Sequence, residues 1–130
     1  MRKLSFLCLM TAVCFAQITL DFDKNKELCD KKKDAKACTI TGSLYGLKEN
    51  PDFDKAIEYT IKGCEGKDAS GCLSVGGAYL LGMGAKKDEA KAMTFYKKGC
   101  DLGDKLSCEI YKTNGKALYD MMKKLGGEDD

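Results

Sequence analysis

The chain has 130 residues, 44% hydrophobic and 32% charged, with 22 basic and 20 acidic residues, a formal net charge of +2 and neither His nor Trp. That length holds one domain, and the near-balanced charge excludes a surface built to neutralise phosphates, so no nucleic-acid partner is expected. Without His, the chain lacks both the commonest general base and the commonest metal ligand.

Arg2 and Lys3 precede an almost wholly apolar run from Leu4 to Phe15, and the small residues Cys14 and Ala16 stand just before Gln17. This is the pattern of a secretory signal peptide over residues 1–16, cut between Ala16 and Gln17. The run is too short for a membrane span, which needs about 20 residues, and no later stretch is apolar enough to be one. A lipidated Cys14 is the rival reading, opposed by Thr11 and Val13 at positions that want Leu and a small residue. Loss of Arg2 and Lys3 from the 22 basic residues leaves 20 against the 20 acidic ones, so the mature chain, 17–130, is neutral. Its only basic cluster, Lys31-Lys32-Lys33, is flanked by Asp30 and Asp34 and reads as a solvated helix end.

Past the signal, Asn25 to Lys33 reads as a lone helix ending near Cys29. Thr39 to Tyr45 reads as the next helix. Pro51-Asp52 opens another, with Phe53, Ile57, Ile61 and Cys64 as its apolar stripe, and Gly66 lies in the turn that follows. Ser70 to Leu81 carries Cys72, Val75, Tyr79 and Leu80 at helical offsets. Gly76 and Gly77 within it each cost about 1 kcal/mol relative to Ala and are read as points of close helix packing. Gly82-Met83-Gly84-Ala85 breaks that helix. Asp88 caps the next, where Ala92, Phe95 and Gly99 fall on one face beside Met93, Tyr96 and Cys100. Gly103 lies in the following turn. Asn114 to Leu125 places Ala117, Leu118, Met121, Met122 and Leu125 at helical spacing, Gly126-Gly127 stop it, and Glu128-Asp129-Asp130 form an acidic tail.

The elements repeat. Lys55-Ala56 aligns with Lys91-Ala92 at an offset of 36, as do Tyr59 with Phe95, Lys62-Gly63-Cys64 with Lys98-Gly99-Cys100, and Asp68 with Asp104. Cys38, Gly42 and Tyr45 align with Cys72, Gly76 and Tyr79 at an offset of 34. Periods of this length mean a solenoid or array. The difference falls between Tyr45 and Lys55, which marks a surface loop.

Of the 8 cysteines, Cys8 and Cys14 leave with the signal. The other six read as a disulfide framework. They fall as three close pairs with similar spacing, which argues that each closes on itself: Cys29–Cys38, Cys64–Cys72 and Cys100–Cys108. Each bridge then joins the end of one second helix to the start of the next first helix. Zinc, the structural rival, prefers paired cysteines two to four residues apart and frequently His, so no metal or other cofactor is expected.

These residues resemble a known family. Gly76-Gly77-Ala78-Tyr79, Gly82-Met83-Gly84, Asp88-Glu89-Ala90-Lys91-Ala92, Phe95-Tyr96 and Lys98-Gly99-Cys100 are similar to the Sel1-like repeat. The Cys100–Cys108 segment resembles its Helicobacter cysteine-rich branch. In the preceding unit Asn50-Pro51 replaces the Gly-x-Gly turn. The resemblance implies an all-α solenoid of short αα hairpins, related to tetratricopeptide repeats and exported to the periplasm or beyond. Hairpin units are expected at about 36–65 and 70–100, with terminal helices at about 25–33 and 105–125. Members of that branch are frequently labelled β-lactamases or penicillin-binding proteins, and some are discussed as secreted factors sensed by host cells.

The chemistry does not favour hydrolysis. No Ser is followed by Lys three residues on, the spacing of serine β-lactamases. Lys112-Thr113-Asn114-Gly115 approximates a Lys-Thr-Gly motif but is interrupted, and reads as a helix-to-helix junction. A Ser-His-Asp or Cys-His arrangement has no His to use, and neither has a metallo-hydrolase. The expected function is a scaffold that binds a protein or peptide in the envelope or extracellular space, with a β-lactam or peptidoglycan-like ligand as the alternative the family label implies. By analogy with related repeats, the first helices, Thr39–Tyr45 and Leu73–Tyr79, would line the binding surface. Tyr45 and Tyr79 are its candidate contacts, although packing is the stronger reading for both.

Overall fold

The computed structural model describes residues 22–126. The expected signal peptide, with Cys8 and Cys14, and the tail from Gly127 onward lie outside the described residues. A first helix, α1, runs through 22–32. It is followed by α2 (Ala35–Leu47), α3 (Phe53–Glu65), α4 (Ala69–Leu81), α5 (Glu89–Asp101), α6 (Lys105–Lys112) and α7 (Lys116–Leu125). Among the described residues there is no strand, and no helix is long and apolar enough to cross a membrane.

An aspartate stands at the N-cap of each helix from α2 to α6. The carboxylates of Asp34, Asp52, Asp88 and Asp104 accept from the backbone N–H groups of Ala37, Lys55, Lys91 and Ser107. Each satisfies a donor that the helix itself leaves orphaned and sets a negative charge against the positive end of the dipole.

Helices α2 and α3 form one hairpin and α4 and α5 the next, with α3 packed on α4 and α5 on α6 at the junctions. The junctions are where the cysteines act. Cys29–Cys38 ties α1 to α2, Cys64–Cys72 ties α3 to α4, and Cys100–Cys108 ties α5 to α6, with Cα separations of 4.7, 4.5 and 4.4 Å. Because each second helix ends one turn before the next first helix begins, a short bridge fixes the angle between successive hairpins.

Within each hairpin, toward its loop end, an aromatic pair joins the two helices. Tyr45 stacks on Tyr59 with centroids 5.5 Å apart, and Tyr79 stacks on Phe95 at 5.8 Å. Lysine ammonium groups cover the outer faces: Lys48 lies 4.6 Å from the Tyr45 centroid, Lys62 4.6 Å from Tyr59 and Lys91 5.5 Å from Tyr79. These contacts join packing to a cation–π attraction and keep the aromatic edge wettable.

Four elements differ from their sequence-based expectations. The N-terminal helix includes Phe22, three residues before Asn25, because Phe22 packs edge-on against Tyr45 at 5.1 Å. In α3 the buried face is Tyr59, Thr60, Gly63 and Cys64, while Phe53 is exposed and Ile57 and Ile61 are half-buried. Helix contact here is made by small residues rather than by the most hydrophobic stripe. In α5, likewise, Tyr96 is buried and Phe95 half-buried. The C-terminal segment is two helices, since Asn114 and Gly115 take φ values of 50° and 88° and turn the chain back. Glycine tolerates that conformation freely. Lys112-Thr113-Asn114-Gly115 is this α6–α7 junction.

The hydrophobic core lies in two clusters. The first is Cys29, Ala37, Cys38, Tyr45 and Tyr59, with Phe22, Leu28 and Ala56 against it. The second is Leu80, Ala92, Tyr96 and Ile110, closed by Leu73, Met93, Leu106, Ala117 and Leu118 among others.

Candidate functional site

The space between the two clusters is the site. Helices α2 and α4 stand side by side over α3. Near their N-termini they are drawn tight, since a Cβ on Gly71 would meet the Thr39 hydroxyl, 2.7 Å away, and the Cys64 backbone nitrogen, 2.8 Å away. Toward their C-termini they leave a groove of about 360 Å³. Helix α2 gives it Gly42, Ser43 and Gly46, and α3 gives Phe53, Ala56, Ile57 and Thr60. The far wall is Ser74, Val75, Gly77, Ala78 and Leu81 of α4, with Met83 at the lip. None of these side chains carries a charge. Polar character is confined to three hydroxyls, and that of Thr60 is already donated to the Ala56 carbonyl of its own helix.

Quasi-equivalence explains why this space is open. At the repeat offsets, Gly46 corresponds to Leu80, Thr60 to Tyr96, Ile57 to Met93 and Ser74 to Ile110. The second member of each pair packs into or against the second core cluster, where Leu80, Tyr96 and Ile110 are at most 1% exposed. Burial there pushes the Tyr96 hydroxyl up to about 12, because the phenolate loses its solvation. The place between α4 and α6 is therefore solid. The same place between α2 and α4 is hollow because the larger side chains are Gly46, Thr60 and Ser74 instead. A Cβ on Gly46 would meet only the Ala56 Cβ, at 3.8 Å, so the opening is a matter of missing side chains and not of backbone separation.

The structure brings neither Tyr45 nor Tyr79 into this lining. Both rings are held in the intra-hairpin pairs at the loop end. The first helices do form the walls as expected, but through small residues on another face. The signal that could have found them was the contrast at equivalent positions, Gly46 with Leu80 and Thr60 with Tyr96. All six cysteines from Cys29 to Cys108 are in disulfides, which leaves no free thiolate among the described residues.

Comparison with known proteins places these features. A profile of the Sel1 repeat matches residues 35–68 and 69–104, each an α-hairpin with the turn that follows it. Cysteine rich protein B of Helicobacter pylori superposes with a TM-score of 0.64 at 30% identity, over 68% of each chain. A Sel1 repeat protein from Oxalobacter formigenes shares the fold, with a TM-score of 0.61 at 24% identity over 80% of this chain and 49% of that one. Among curated relatives, cytochrome c oxidase assembly factor 7 of Xenopus tropicalis is 34% identical over 87 residues, 62% of this chain and 38% of the relative. Its homologue in Drosophila melanogaster is 33% identical over 85 residues, 62% of this chain and 31% of that one. The chain thus spans less than two fifths of the length of the curated relatives it matches. With two matched repeats, three hairpin-linking disulfides and a Helicobacter structural relative at this identity, the chain belongs to the Sel1 repeat family, in its cysteine-rich form.

Proposed function

We propose that the protein is an exported scaffold whose groove between α2 and α4 holds a segment of another polypeptide. The observation that carries this reading is the uncharged hollow itself. It is walled by Gly46, Gly77 and Ala78 and rimmed by Phe53 and Met83, which are 43% and 57% exposed. Apolar side chains left in water at the mouth of an apolar recess favour an apolar occupant by about 25 cal/mol for each Å² they bury. The curated relatives are named as assembly factors, which suits a scaffold that holds other chains. The β-lactamase alternative gains nothing, because the groove offers no cation for a β-lactam carboxylate and no nucleophile–base pair.

Peptides selected from a random display library on the oxidised protein are expected to lose at least tenfold in affinity for Gly46→Leu. That variant places in the hollow the side chain that Leu80 supplies one unit on. It removes a helical glycine at a position where the new Cβ meets only Ala56 at ordinary contact distance, so its melting temperature should equal or exceed that of the parent. Undiminished peptide binding by Gly46→Leu would rule out the groove as the site.

Export rests on the pattern of residues 1–16 and on three disulfides, which persist in oxidising compartments. Fractionation of the producing cell should recover the chain outside the cytosol, beginning at Gln17 and without free thiols. Recovery from the cytosol with residues 1–16 attached and six thiols titratable would sink this part of the proposal.

A further inference from the structure

Nine large apolar side chains are exposed among the described residues, and seven fall in two groups of opposite shape. Phe53 and Met83 line the groove, and Leu47 follows Gly46 at the end of α2. The other group is a projecting helix end: Tyr119, Met121, Met122 and Leu125 of α7, the last of them 83% exposed.

Helix α7 already shows what kind of surface it fits. Its first turn sets Ala117 and Leu118 against the second core cluster, and the Tyr119 hydroxyl donates to the Leu80 carbonyl, 3.4 Å away. That surface is the quasi-equivalent of the groove, and the two are continuous across α4. Met122 and Leu125 follow Leu118 at i+4 and i+7, so they share its face, but they remain 45% and 83% exposed. Size agrees with shape. A cavity of about 150 Å³ takes one benzene-sized group, so about 360 Å³ accepts two side chains such as Met122 and Leu125.

We infer that the groove is occupied by α7 of a second copy of this chain, with Met122 and Leu125 of one copy seated against Gly46, Thr60 and Ala78 of the other. This rests on the groove reading and names its partner. The contact is heterologous, head to tail, so it propagates as an open chain rather than closing as a symmetric dimer. A foreign partner then binds by displacing a neighbour.

Sedimentation of the oxidised protein tests it. The interface is small, in the range of weak encounters, so the average mass should climb steadily between about 10 µM and 1 mM. Gly46→Leu, which blocks the groove, and Leu125→Asp, which blocks the helix, should each stay monomeric across that range. Ser74→Lys serves as a second groove variant should Gly46→Leu fold poorly. An equal mixture of Gly46→Leu and Leu125→Asp should form a one-to-one dimer and nothing larger, since only one productive contact remains. Leu102→Asp, on an exposed apolar residue outside both groups, should associate like the parent. A parent protein monomeric at 1 mM, blocked variants that still associate, or a mixture no heavier than its components would each overturn the inference. The peptide experiment separates the two readings: a monomeric protein whose selected peptides are still lost in Gly46→Leu removes the second copy and keeps the groove.

Discussion

Reduction of the three disulfides is expected to unfold the protein at room temperature. Each closes a loop with a sequence separation of 8 or 9, which the chain-entropy relation values at about 2.5 kcal/mol. Together they supply about 7.5 kcal/mol, against a net stability of about 5–15 kcal/mol for a small domain. The apolar core cannot make up the loss, because only Tyr96, Leu80, Ile110 and Val75 among the larger apolar side chains of the described residues are fully buried. Much of the remaining packing between helices is done by Ala, Gly, Thr and the cystines themselves, beside the half-buried aromatic and leucine side chains at the cluster edges. Helical circular dichroism followed through a thermal melt, with and without reductant, reads the effect directly. The bridges should not be equal. Replacing Cys64 and Cys72 by Ala separates the two hairpins and should cost about 2–5 kcal/mol, with loss of a single cooperative transition. Replacing Cys29 and Cys38 releases only α1, whose remaining anchors include Phe22, Leu28 and the bond from the Tyr59 hydroxyl to Asp30. A reduced protein that keeps its cooperative melt would show that the helix junctions hold without their cystines.

What could be seen in the sequence follows from which contacts leave a trace in hydropathy. The bridges and the hairpin register were legible because Cys64 and Cys100, or Tyr59 and Phe95, repeat at a fixed offset and need no burial estimate. The solenoid class followed from those offsets. The buried face of α3 was not legible. Phe53, Ile57 and Ile61 form its most hydrophobic stripe, yet its contact with α2 is made by Thr60 and Gly63 against Gly42 and Thr39, residues that score as neutral or polar. Thr39, Thr41 and Thr60 are compatible with a buried interface because each hydroxyl donates to a carbonyl of its own helix, a local arrangement that hydropathy does not register. The groove leaves no trace for the same reason, being defined by side chains that are missing. Tyr45 and Tyr79 drew attention as large, partly polar residues, and their size is what the hairpin uses at its loop end. The junction before α7 was legible at Lys112-Thr113-Asn114-Gly115, whereas the positive φ at Asn114 and Gly115 that turns the chain there leaves no trace in hydropathy.

Alanine at Gly42 is the second large effect, with an expected loss of about 2 kcal/mol in chemical denaturation, read as a lower midpoint at unchanged slope. Alanine is the better helix former by about 1 kcal/mol, so a loss means that the contact outweighs propensity. A Cβ there would fall 2.6 Å from the Ala56 carbonyl and 2.8 Å from the Thr60 nitrogen, and against the Thr60 hydroxyl. Two of those atoms are the backbone of α3, so relief requires moving a whole helix whose far end is tied by Cys64–Cys72. The equivalent change at Gly76 meets the ring of Tyr96 at 2.9 Å, a side chain that can turn slightly, and should cost less. At Gly46 the new methyl meets Ala56 Cβ at ordinary distance, and the protein should gain up to about 1 kcal/mol. Thr60→Ala should restore only part of the stability of Gly42→Ala, because the carbonyl clash survives it, and the shortfall measures the backbone share of the contact. The same displacement reaches the groove. Gly42 and Thr60 both line it, so pushing α2 off α3 widens the hollow and should weaken peptide binding, whereas Gly76→Ala acts on the filled neighbour and should leave binding intact. Equal losses of binding in the two variants would mean that occupancy depends on global stability and not on the geometry between α2 and α4.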